Sequence, residues 1–161
     1  MRHALPTVVI LAALLTGCPS AYQRTYDQKM AELQAQAQQE NQQQQALYAE
    51  ASKYAAVIYF QTGSSALDQD AIRQLNWFVD KMKPYPQANF LVQGFADSTG
   101  AEATNQQLSV GRAQAVADYL SGQGIAMTRM NVQGFGTGSP AAENTTAQGR
   151  RDNRRVEVTV R

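Results

Sequence analysis

The spacing of apolar residues changes twice along the chain, and each change marks a different kind of segment. The first is a run over residues 4–15, broken only by Pro6 and Thr7. It follows the basic start Met1-Arg2-His3 and ends in Leu15-Thr16-Gly17-Cys18. A charged start, a short apolar core and small residues before a cut make a secretory signal. The run is too short to cross a bilayer as a mature helix, which takes about 20 residues.

In the second segment, residues 22–54, the steps alternate between four and three: Tyr26, Met30, Leu33, Ala37, Glu40, Gln44, Leu47, Ala51, Tyr54. That is a heptad stripe with a polar middle. No proline or glycine interrupts it and alanine is frequent, so a long exposed helix is expected, with glutamine-rich disorder as the alternative. As a helix it would be roughly 50 Å long. Such a spacer could carry a domain away from a membrane surface.

The third segment, 55–161, mixes periods. Val57-Ile58-Tyr59-Phe60 reads as a buried strand. A helix follows with Asp68 as N-cap, a Leu67–Ile72 hydrophobic staple and the stripe Ile72, Leu75, Phe78, Val79, Met82, stopped by Pro84 and Pro86. Residues 89–95 form a second strand. Thr104-Asn105-Gln106-Gln107 matches a capping box and is expected to open a second helix, ending near Gly122. Residues 130–135 form a third strand, 145–148 cap a short helix, and 156–161 alternate as a strand with one buried face. The order βαβαβ(α)β predicts an α+β fold, a two-layer α/β sandwich with two long helices over one face of a four-stranded sheet. Val-Gln-Gly-Phe occurs at both 92–95 and 132–135, which suggests two strands ending in similar turns rather than a true repeat.

Composition narrows the chemistry. His3 is the only histidine and Cys18 the only cysteine, so a chain cut before Cys18 has no histidine at all. That excludes Ser-His-Asp and Cys-His catalysis, a His/Cys zinc site and a disulfide. The loop Gly134-Phe135-Gly136-Thr137-Gly138 is followed by Ser139-Pro140 rather than a helix, so it fails as a dinucleotide fingerprint. No enzyme activity, metal or cofactor is expected. Loss of Arg2 would leave acidic and basic side chains in balance, a poor basis for nucleic-acid binding. One position stands out. Arg112 falls beside the core-facing stripe Leu108, Val116, Leu120, where a cation is costly unless it is paired or solvated.

Two resemblances give these residues a context. Leu15-Thr16-Gly17-Cys18 resembles a bacterial lipobox. That implies cleavage of residues 1–17, acyl chains on Cys18 and, with Pro19 rather than Asp after it, sorting to the outer membrane facing the periplasm. Several acyl chains anchor stably where one does not. Asp97, Ser98-Thr99-Gly100, Asn105, Leu108-Ser109 and Arg112-Ala113, with the tail 140–157, resemble the OmpA-like C-terminal domain family. The lipobox makes the chain similar to peptidoglycan-associated outer-membrane lipoproteins.

The resemblance implies a ligand, the diaminopimelate of the peptidoglycan stem peptide, whose free end is a zwitterion. Asp97 would accept from its ammonium and Arg112 would fork onto its carboxylate, which Arg does better than Lys. Thr99 would contribute through its backbone or hydroxyl, Asn105 would steady the loop, and Arg154 would border the pocket. Arg150, Arg151 and Arg155 are expected to be surface or structural charges. Without ligand, Asp97 and Arg112 could pair with each other, and alanine at either is expected to leave the fold intact. Phe95-Ala96, Thr104 and Gly111 depart from the family's usual residues, which bears on the pocket walls and affinity. The alternative is an interaction module of an envelope assembly, with a protein partner or self-association through residues 22–54.

Overall fold

The computed structural model describes residues 20–161; the expected leader and Cys18 lie outside them. The elements are α1 (Ala21–Ala51), β1 (Ala55–Tyr59), α2 (Gln69–Met82), β2 (Phe90–Gly94), α3 (Glu102–Gly122), β3 (Met130–Gly134), α4 (Ala147–Asn153) and β4 (Arg155–Val160). A single 3-10 turn, Met127–Arg129, leads into β3. None of the described helices is long and apolar enough to cross a membrane.

The chain divides at Asn41 into two compact units, of which the second is residues 42–161. In the first, α1 is exposed throughout its described length. The second takes in the last turns of α1 together with residues 55–161. Ala51 is fully buried in its core, and the Tyr48 hydroxyl donates to the Gln87 carbonyl at 3.1 Å.

The four strands form one mixed sheet in the order β1-β4-β2-β3. Strand β4 runs antiparallel to both neighbours, while β2 and β3 are parallel. Period-two alternation sends Ile58, Phe90, Val92, Val156 and Val158 to one face. Helices α2 and α3 cover that face with Leu75, Phe78, Val116 and Leu120. Phe78 and Phe90 meet edge to face, centroids 5.6 Å apart. Each such fully buried side chain contributes roughly 1.5–3 kcal/mol from area alone.

The start of α2 follows from its sequence: the Asp68 carboxylate accepts from the Ala71 N–H at 2.8 Å. The start of α3 does not follow the expected capping box. The helix begins at Glu102, with Ala101 as its N-cap and no side-chain cap, so Thr104 lies inside the first turn. Gly100, at φ +90°, turns the chain earlier than the box requires. The Asn105 N–H bonds to the Ala101 carbonyl, and Glu102 complements the helix dipole.

The repeated Val-Gln-Gly-Phe lies in register on adjacent parallel strands, Val92 beside Val132 and Gly94 beside Gly134. Both glycines serve the same contact. A Cβ on Gly94 would stand 2.0 Å from the Ser109 carbonyl oxygen, and one on Gly134 would stand 2.5 Å from the Val110 nitrogen. The backbone of α3 therefore lies directly on the ends of β2 and β3, which fixes where Arg112 can reach.

Candidate functional site

Three charged side chains gather where β1 and β2 end and β4 begins. Asp97 follows β2, Arg112 comes from α3, and Arg154 precedes β4. All are buried: Arg112 is 0% exposed, Asp97 5% and Arg154 9%. Placing a lone ion there would cost several kcal/mol, so the partners decide whether the site can exist.

Arg112 is satisfied by backbone. Its Nε donates to the Ser64 carbonyl at 2.9 Å, Nη1 to Phe95 at 3.0 Å and Nη2 to Gln61 at 3.1 Å. The Phe60 ring lies 5.4 Å from its guanidinium carbon. Burial lowers its pKa to about 10, partly offset by the Asp97 charge, so it remains a cation at neutral pH. A guanidinium has five N–H donors, and three of them are given to these carbonyls.

Asp97 does not pair with Arg112 as expected. Its Oδ2 accepts from Arg154 Nη1 at 2.8 Å, and Oδ1 accepts from the Thr99 N–H at 3.0 Å. Arg154 also donates from Nε to the Phe60 carbonyl at 3.0 Å. The physical reason for this pairing is that Arg112 already spends its geometry on the three carbonyls, whereas Arg154 enters β4 facing the Asp97 loop. Burial pushes the Asp97 carboxyl up, but Arg154 and the Thr99 N–H and hydroxyl outweigh it and hold the group below the usual carboxylate range.

Asn105 is 3% exposed, and its Nδ2 is one of two buried side-chain nitrogens without a partner among the described residues. The other is Arg155 Nη1. Arg155 is structural: it stacks on the Phe95 ring at 4.1 Å and its Nε bonds Glu157. Arg150 ties down the loop before α4 by donating to the Asn144 and Thr145 carbonyls. Arg151 is exposed.

Two residues that sequence reasoning passed over organise the Asp97 loop. Asn153 is fully buried; its Oδ1 accepts from the Ala141 and Ala142 N–H groups and its Nδ2 donates to Asn144 Oδ1 at 2.9 Å. Asn144 Oδ1 in turn accepts from the Ser98 N–H at 3.0 Å. Both belong to the tail whose order of residues carries the family likeness. That order is the signal that could have found them. No group of three or more His, Cys, Asp or Glu that could hold a metal occurs among the described residues.

The family model that matches this chain is that of the OmpA family, over residues 59–154, which includes every charged member of the site. The chain belongs to the OmpA family. Its OmpA domain is 39% identical over 104 residues to the peptidoglycan-binding protein ArfA of Mycobacterium tuberculosis, covering 65% of this chain and 32% of that protein. It is 38% identical over 103 residues to the probable lipoprotein YiaD of Escherichia coli, covering 64% of this chain and 47% of that protein. The chain thus spans about a third to about a half of the length of these relatives. Among solved structures, the peptidoglycan-associated lipoprotein of Burkholderia pseudomallei superposes with a TM-score of 0.63 at 26% identity, over 66% of this chain and 90% of that one. The two-layer fold expected from the sequence is the one this family shares.

Proposed function

We propose that this OmpA-family protein is an outer-membrane lipoprotein that binds peptidoglycan, holding the membrane to the wall through the diaminopimelate of the stem peptide. In this reading residues 1–17 are the signal, 18–54 the acylated start and spacer, and 55–161 the binding domain. The observation that carries it is the buried set of Asp97 and Arg112, opposite charges held by backbone at one end of the sheet. With Arg154 the set has a surplus positive charge, which favours a ligand bringing a carboxylate.

A diaminopimelate end carries an ammonium and a carboxylate on one carbon. Asp97 accepts from Arg154 and Thr99, and the two oxygens of a carboxylate offer about four lone-pair sites, so the ammonium can dock without displacing Arg154. We assign the carboxylate to the two Arg112 N–H donors not given to carbonyls, and Asn105 Nδ2 would gain the partner it lacks. Both groups are buried, so the ligand reaches them through a local rearrangement. Thr99 and Arg154 keep the Asp97 carboxylate ionised and in place. Binding of this kind needs no bond to be made or broken. Supporting the reading, relatives are named as a peptidoglycan-binding protein and a probable lipoprotein.

The test is co-sedimentation of residues 42–161 with purified diaminopimelate-type sacculi, beside Asp97→Asn. Loss of a buried charge partner at an interface costs about 2–5 kcal/mol, so affinity should fall roughly 30-fold or more while the fold persists. A folded parent that stays in the supernatant would instead favour the module whose main ligand is a protein.

A further inference from the structure

Helix α1 exposes large apolar side chains in a narrow, regular row. Tyr26 is 53% exposed, Met30 39% and Leu33 47%, and every described residue of the unit that ends at 41 is exposed. Their steps of four and three, continued by Ala37, are the d and a positions of a heptad. A straight helix has 3.6 residues per turn, so a stripe repeating every 3.5 stays on one side only when the helix winds around another. Helices in water owe most of their stability to such packing rather than to propensity.

The partner's chemistry is written beside the row. A membrane-surface helix carries a wide apolar face and an excess of Lys and Arg. Here the row is narrow, and Arg24 and Lys29 are matched by Asp27 and Glu32, with Lys29 and Glu32 paired at 2.9 Å. A foreign helix would be selected by opposite charge at the flanking positions. The flanks of this row carry one charge of each sign, Asp27 and Lys29, and then the uncharged amides Gln34, Gln36, Asn41 and Gln43, which both donate and accept, a set that matches a copy of itself. We infer that α1 pairs with α1 of a second copy of this chain, along the seam Tyr26, Met30, Leu33 and Ala37. Glu40, at the next d position, is a charged layer that weakens the pairing. This association is independent of what the OmpA domain binds.

Sedimentation equilibrium of the full chain in density-matched detergent tests it. The parent should be a reversible dimer. Leu33→Glu, inside the seam, should weaken it by about tenfold or more, equivalent to about 1.4 kcal/mol. Ala35→Glu adds the same charge at the heptad position opposite the seam, and should leave the dimer unchanged. Glu40→Leu should tighten it, an outcome that a misfolded variant would not produce. A monomeric parent, equal loss with Ala35→Glu, or no tightening with Glu40→Leu would each overturn the inference.

Discussion

Substituting Arg112 removes more than a ligand contact, because its guanidinium ties the chain after β1, at Gln61 and Ser64, to Phe95 after β2. These bonds lead us to expect that alanine here weakens the fold, where the sequence alone suggested that it would leave the fold intact. Arg112→Ala leaves three carbonyls without their donor, the one on Phe95 in a buried place, and we expect it to lower stability by roughly 1–3 kcal/mol or more, read as the urea midpoint of residues 42–161. Asp97→Asn keeps the shape and separates the two roles. Its effect on stability should depend on pH in a definite sense. The native carboxyl lies below the unfolded value of about 3.9, so its ionisation stabilises the fold above that pH. That contribution is lost as pH falls through the native pKa. The stability gap between parent and Asp97→Asn should thus be full at pH 6 and shrink below about pH 4 in chemical denaturation. A gap that widens in acid would mean the carboxyl is held protonated. From the sequence, Asp97 and Arg112 are legible through family likeness and through the cost of a cation beside a core stripe. The Asp97–Arg154 pair is not, because which of two arginines reaches a carboxylate depends on how β4 enters the sheet.

At the scale of elements, the strands and α2 are legible because each carries its own local signal: alternation in β4, a cap and a staple at α2. The start of α3 is not, because Gly100 and the Asp97 loop fix it through tertiary hydrogen bonds that a capping box does not encode. The contact between α3 and the two glycines is similarly hidden, although the repeated tetrapeptide is visible. Gly94→Ala forces a methyl into the Ser109 carbonyl and should destabilise by about 3 kcal/mol or more, with circular dichroism melting as the readout. Asn153→Ala acts through the loop. It removes the donor that fixes Asn144 and leaves the Ala141 and Ala142 N–H groups without their acceptor, so we expect a loss of about 1–3 kcal/mol and faster amide exchange at Ser98.

At the scale of the molecule, the proposed function implies a wall that repeats its ligand and so rewards linked, acylated copies. Vesicles carrying many acylated chains should hold sacculi at least about 100-fold more tightly than the free domain does, by effective concentration alone. A surface-plasmon comparison of the two formats, with Asp97→Asn as the blank, measures this. The in-register tetrapeptide has a different consequence, one for folding. Strand β4 must choose as its neighbour one of two segments that both offer Val-Gln-Gly-Phe, and within the strands the residues Phe90-Leu91 against Met130-Asn131 tell them apart. The choice rests on Phe90, which is buried beside Val160, where Met130 is left half-covered at the sheet's edge. Making the second segment a fuller copy of the first, with Met130→Phe and Asn131→Leu, should let the chain thread its strands in the wrong order and wait there. Refolding would then acquire a slow, trapped phase that the parent lacks.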